Sequence, residues 1–169
     1  MDRRDLRYVS SLYGGFWGFD IKDFCYMTNP YFPPDEFIDA LGSRLRELVK
    51  SYPSTNWYLS SLAAEPLGIS HEELVIANGA SELISTITDR FVEHLAVPVP
   101  TFDEFINRAV TQEKRVSTYQ LEGDFELDVE GFIQHVNDTG ADSALLINPN
   151  NPTGTVISQE SIWHILESL

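Results

Sequence analysis

The sequence predicts an α/β protein in which a mainly parallel sheet carries helices on both faces and is reached through an irregular aromatic arm. Three observations carry that reading. Strand and helix signals alternate at short spacing from residue 74 to the end of the chain. The apolar run Ala144-Leu145-Leu146-Ile147 passes directly into the polar, proline-fixed loop Asn148-Pro149-Asn150-Asn151-Pro152-Thr153-Gly154, where an open α/β sheet carries its ligand. The apolar run Leu74-Val75-Ile76-Ala77 likewise passes into Asn78-Gly79-Ala80-Ser81-Glu82, a strand-to-helix turn of small residues whose uncovered backbone N–H groups suit a phosphate. An amide-rich loop and a phosphate cradle together imply a phosphorylated cofactor.

Taken in order, residues Met1 to Pro34 form the arm, rich in aromatics (Tyr8, Tyr13, Phe16, Trp17, Phe19, Phe24, Tyr26) and broken by Gly14-Gly15, Pro30, Pro33 and Pro34. From Asp35, the residues Phe37, Ala40, Leu41, Leu45, Leu48 and Val49 recur at helical spacing, and that helix stops before Tyr52-Pro53. A second helix covers Trp57 to about Ala64, ended by Pro66 and Gly68. Strand Leu74–Ala77 is followed by helix Ser81–Leu95, with Leu83, Ile84, Ile87, Phe91 and Leu95 on one face, and by strand Ala96–Val99. Helix Asp103–Val110, strand Arg115–Leu121, helix Val129–Val136 and strand Ala144–Asn148 complete the alternation. A last helix starts at the N-cap Ser158 and carries Ile162, Ile165 and Leu166.

Composition narrows the function. With 169 residues, 43% apolar and 22% charged, the chain has enough material for a domain with a real core. A net charge of −15, from 26 acidic against 11 basic residues, argues against nucleic acid, whose phosphates need clustered Lys and Arg. The single Cys25 cannot form an internal disulfide, and no Cys/His spacing of the zinc type occurs. A cytoplasmic protein without structural metal is expected. His71, His94, His135 and His164 read as surface or helix-flank residues. No charged-then-apolar leader is seen and no apolar run approaches the roughly 20 residues of a membrane helix, so no membrane partner is expected.

Five motifs then carry a resemblance. Thr28-Asn29-Pro30, Tyr52-Pro53, Asn78-Gly79-Ala80-Ser81-Glu82-Leu83-Ile84, Pro100-Thr101-Phe102 and the loop 148–154 occur in the order and approximate spacing of fold type I pyridoxal-phosphate enzymes. The chain resembles most the branch holding histidinol-phosphate aminotransferase and threonine-phosphate decarboxylase. The arm, with Gly14-Gly15 and Asp23-Phe24, also resembles the start of the decarboxylase, although Tyr13 stands where that family usually has His. The resemblance implies the three-layer α/β/α large domain, here incomplete, over residues 35–169 after an arm of residues 1–34, with a small domain absent.

It also implies roles. Ala80 and Ser81 match the residues whose backbone amides hold the phosphate of pyridoxal 5'-phosphate; an ordinary helix start is the bland alternative. Phe102 matches the aromatic stacked on the cofactor ring, usually a Tyr, or is simply core. Asn151 matches the Asn that bonds the cofactor's phenolic oxygen, or is a turn residue. Tyr52 resembles a Tyr reaching the phosphate of the neighbouring subunit in a homodimer, or packs at a helix end. Asn29 lies where the family's N-terminal segment passes the substrate, a small molecule of the amino-acid class.

In the family a Lys forms the Schiff base, an Asp holds the ring nitrogen and an Arg grips the substrate carboxylate, all after this loop. Lys22, Lys50 and Lys114 match none of these positions, so the chain as written is expected to lack a catalytic Lys and to be inactive alone. The family's sheet sets its first and fourth strands apart, which leaves Leu74–Ala77 and Ala144–Asn148 without mutual pairing and implies a piece of a longer enzyme, ahead of a sheet completed by another chain or a rearrangement of the strands. The intact protein is then expected to be an aminotransferase acting on an amino acid or amine, phosphorylated or not. Decarboxylation of a phosphorylated hydroxy-amino acid and a non-catalytic binding domain stay open. A cis Asn151–Pro152 bond and self-association through the arm are further expectations.

Overall fold

Residues 8, 18–22 and 28–169 are described by the computed structural model. Tyr13, Gly14-Gly15, Phe16, Trp17, Phe24, Cys25 and Tyr26 lie outside the described residues. The chain divides into two compact units, Met1–Pro53 and Ser54–Leu169. In the first, helix α1 (Asp35–Leu48) begins where the arm is expected to end, with Asp35 and Glu36 in its first turn and Arg46 in its last, each charge complementing the helix dipole. Its periodic apolar residues Phe37, Leu41, Leu45 and Leu48 form a stripe but are all exposed.

The second unit opens with α2 (Asn56–Leu67). Thr55 starts it by accepting the N–H of Tyr58 at 3.3 Å. Gly68, left-handed at φ 67°, stops it with its N–H on the carbonyls of Ala64 and Glu65. The helix therefore runs past the expected end near Ala64, because the closing bonds form around Gly68 and enclose Pro66 in the final turn. A 3-10 turn (His71–Glu73) follows, closed by a reciprocal capping box between Ser70 and Glu73.

The expected strand Leu74–Ala77 is not formed: the run has no ladder partner among the described residues. A strand is defined by its neighbour, and here the N–H of Ile76 goes instead to the buried Ser60 Oγ at 3.3 Å. Helix α3 (Gly79–Phe91) ends four residues earlier than predicted, and β1 (His94–Val99) takes Leu95 into the sheet. His94, Leu95, Ala96 and Val97 are all buried, and a strand buried on both faces shows no alternation by which to tell it from a helix. The expectation of a surface His94 is overturned in the same way. Its ring is buried within β1 and its Nε2 lies 2.8 Å from Ser117 Oγ.

After α4 (Glu104–Thr111), β2 (Arg115–Gln120), α5 (Val129–Thr139) and β3 (Ser143–Ala144), the chain ends in α6 (Gln159–Ser168). The sheet is parallel in the order β2-β1-β3, with Leu95 opposite Val116 and Ser143. One face of β1 gives Leu95 and Val97 to a core with Ala109 and Phe105 of α4; the other gives Ala96 to Phe132 and Val136 of α5. Helix α3 packs on α4 and α6 on α5, which makes three layers. Phe132 is fully buried and contributes on the order of 1.5–3 kcal/mol by that burial.

The ladder of β3 stops at Ala144, short of the predicted Asn148, for a covalent reason. Even-numbered residues of β1 face β3, as in the bond from Leu145 N–H to Ala96 O at 2.9 Å. The next even residue is Pro98, whose nitrogen has no hydrogen to offer the carbonyl of Leu145. The start of the same pairing is held by Asp142, whose carboxylate accepts the N–H groups of Glu93 at 3.2 Å and His94 at 2.9 Å and the Ser143 hydroxyl at 2.8 Å. Desolvation by its neighbours alone would raise its pKa; the bonds from Ser143, Glu93 and His94 outweigh it and hold the carboxyl below the usual carboxylate range.

Candidate functional site

Three segments meet at the carboxyl ends of β1 and β3: Pro100-Thr101-Phe102, the loop 148–155, and the first turn of α3. Parallel strands place their following loops at one edge, which is why residues about 50 positions apart in sequence come together here. Both Asn148–Pro149 and Asn151–Pro152 are cis, the latter as expected.

The three asparagines of the loop divide their work. Asn148 stands in for a strand: its Nδ2 donates to the Ile157 carbonyl at 2.9 Å and its Oδ1 accepts the Ile157 N–H at 3.0 Å. Asn150 ties loop to loop, accepting from Thr101 Oγ1 at 2.7 Å and donating to Pro100 O at 3.0 Å and Thr153 Oγ1 at 2.8 Å. The backbone closes the turn with Asn150 N–H on Thr155 O and Gly154 N–H on Asn150 O. Asn151 is exposed, and its side chain bonds to no other described residue. An amide with two donors and an acceptor is thus available at this edge.

At α3 the preceding residue, Asn78, makes no side-chain cap. Its N–H and its Nδ2 both go to Glu82 Oε2, at 2.7 and 3.1 Å, so the N–H groups of Ala80 and Ser81 in the first turn keep no intrahelical or capping partner. These are the groups to which a helix N-terminus binds an anion. A cavity of about 450 Å³ joins the segments, lined by Ala80, Leu83, Ile84, Phe102, Ile147 and Asn151 among others. Its lining is almost wholly apolar and includes Asn151 and, from the open helix turn, Ala80; apolar walls with an amide and uncapped N–H groups beside them fit a flat aromatic ring carrying an oxyanion and a phosphate.

Of the six residues singled out in the sequence, the structure brings Ala80, Phe102 and Asn151 to one cavity, with Ser81 next to Ala80 in the helix turn. Tyr52 and Asn29 belong to the other unit, where Tyr52 is 98% exposed and Asn29 Oδ1 accepts the N–H of Tyr31 at 3.0 Å. Two residues that organise the site were not foreseen. Asn150 reads as one of a repeated pair, and only its fixed partners Thr101 and Thr153 reveal it. Glu82 acts by withdrawing Asn78 from the helix end.

The family model for class I and II aminotransferases matches residues 19–169. Over 152 residues the chain is 39% identical to the CMP-5'-(3-aminopropyl)phosphonate synthase of Streptomyces rubellomurinus, covering 89% of this chain and 24% of that protein. It is 35% identical over 157 residues to the L-serine phosphate decarboxylase of Campylobacter jejuni, covering 87% and 40% respectively. Among solved structures, a decarboxylase from Sulfurospirillum multivorans matches with a TM-score of 0.75 at 27% identity, over 99% of this chain and 43% of that one. Histidinol-phosphate aminotransferases are similar as well. The chain spans less than half the length of the proteins it matches.

Proposed function

The chain belongs to the aminotransferase class I and II family, whose cofactor is pyridoxal 5'-phosphate, and on that premise we propose that residues 54–169 supply the phosphate and ring contacts of a transaminase. That enzyme would move an amino group between an amino acid, phosphorylated or not, and a 2-oxo acid. One observation carries the reading: Ala80, Phe102 and Asn151 line a single cavity beside an uncapped helix end.

In this reading the N–H groups of Ala80 and Ser81 hold the phosphate, with the helix dipole adding about 0.3–1 kcal/mol. The Phe102 ring packs on the cofactor ring, and the Asn151 amide donates to the phenolic oxygen. When bound, the cofactor acts as the electron sink for the substrate. Leu83, Ile84 and Ile147 keep water from the ring face. Tyr52 reaches a phosphate bound by a second copy of the chain in a homodimer, and Asn29 borders the substrate. None of the three lysines performs the covalent step: Lys114 is paired with Glu93 at 2.8 Å and lies outside the cavity lining.

Pyridoxamine 5'-phosphate is the suitable probe, because it keeps ring, oxygen and phosphate but cannot condense with surface lysines. Calorimetric titration should give one site per chain, and no saturable binding would remove the reading. A second reading, decarboxylation of a phosphorylated amino acid, draws on the likeness to L-serine phosphate decarboxylase. Full-length protein incubated with O-phosphoserine, a 2-oxo acid and cofactor separates the two, since one reaction releases an oxo acid and the other carbon dioxide.

A further inference from the structure

We infer that Thr101 and Asn150 are positioning residues, which lock the two strand-end loops together so that Phe102 and Asn151 meet across one cavity. The inference rests on the cofactor reading of that cavity. Thr101 immediately precedes Phe102, and Asn150 immediately precedes Asn151. Both members of the pair line a separate cavity of about 390 Å³, while Phe102 and Asn151 line the one of about 450 Å³. The cross-link thus sits behind the residues that face the ligand and touches none of it.

Its chemistry leaves one arrangement. Pro100 O can only accept, so the Asn150 nitrogen must face it, at 3.0 Å. The second hydrogen of that nitrogen goes to Thr153 Oγ1 at 2.8 Å, and Oδ1 takes the Thr101 hydroxyl at 2.7 Å. All the donors of the amide are used, and a rotated amide would oppose two acceptors at Pro100. Three bonds from one side chain therefore join residues 100, 101 and 153 and fix the direction in which the peptide leaves toward Asn151. Loops otherwise carry the mobility of a site, and the Asn151 side chain has no bond to another described residue to hold it.

The test is a double-mutant cycle on the full chain, read as the dissociation constant for pyridoxamine 5'-phosphate. Thr101→Val removes the hydroxyl at nearly constant shape and should weaken binding about fivefold, the factor for one neutral hydrogen bond. Thr101→Ser, which keeps the hydroxyl, should restore affinity to within about twofold of the wild type. The deciding arm is Asn151→Ala: in that background Thr101→Val should cost clearly less, because the amide it helps to position is gone and only Phe102 is left to place. A loss of equal size in both backgrounds would overturn the inference while leaving the cofactor site intact. If Asn151→Ala alone leaves affinity unchanged, it is the cofactor reading that falls. Thr153→Val, which removes the other partner of the Asn150 nitrogen, gives the same background dependence by a second route should Thr101→Val fail to fold.

Discussion

Helices α3 and α6 both follow a loop and both are preceded by a residue that caps helices well, yet they start in different ways. Ser158 turns its hydroxyl onto the N–H of Ser161 at 3.0 Å and closes α6. Asn78 turns its amide to Glu82 at 3.1 Å and leaves the first turn of α3 open. Residue type does not explain the difference, since Asn caps as well as Ser. Glu82 does: one turn into the helix, its carboxylate takes both the backbone and side-chain nitrogens of Asn78. One terminus is closed by its cap and the other is left open, and the open one borders the cavity through Ala80.

Substitutions can break this contrast. The largest effect is expected at Asn151, beyond the helix but facing the same cavity. Losing a charge-assisted bond of about 1.5–3 kcal/mol should make Asn151→Ala bind pyridoxamine 5'-phosphate roughly 10- to 100-fold more weakly in calorimetry, with the melting temperature nearly unchanged. Next come the two termini compared directly by thermal unfolding. Ser158→Ala should cost about 1 kcal/mol, and Asn78→Ala clearly less, because the Asn78 side chain covers no N–H of its helix. An equal loss at both would mean that α3 is capped in solution.

A smaller change of opposite sign is expected for Glu82→Gln. Removing a negative charge from the open terminus should tighten inorganic phosphate or pyridoxamine 5'-phosphate binding by about two- to fivefold, from 0.3–1 kcal/mol at low salt. The gain should fade as salt is added. Smallest is the pH effect of Asp142, which lies at the far end of the sheet. Its pKa is held below the ordinary value, so its stabilisation is complete above about pH 4 and is lost as the pH falls below that range. Asp142→Asn should flatten the stability curve only below about pH 4, and modestly, since the carboxylate is exposed and screened.

The loops around the candidate site were more legible than the sheet. Loop 148–154 and the turn 78–82 announce themselves by residue types that only a strand-end turn or helix start requires, and Ala80, Phe102 and Asn151 do come together. The ladder is different, because pairing depends on a second strand. Leu74–Ala77 has strand composition but no neighbour among the described residues, and the predicted strand to Asn148 is cut at Ala144 by Pro98, a residue 46 positions away on the partner. Leu95 and His94 were misplaced because a fully buried strand has no polar face to set its period. Asn150 stayed hidden because its meaning lies in Thr101 and Pro100, about 50 residues earlier.

The prolines of the loop have one more consequence, for the chemical ageing of the protein. An asparagine deamidates when the nitrogen of the next residue attacks its side-chain carbonyl, and a proline nitrogen carries no hydrogen to lose in that ring closure. Asn148 and Asn151 are each followed by proline, so the strand stand-in and the free amide are both shielded from the reaction, and Asn150 is held by three hydrogen bonds. Asn78 is followed by glycine, the least hindered of neighbours. Old preparations, followed by peptide mapping at mildly alkaline pH, should therefore gain their first new negative charge at the uncapped helix end beside the cavity.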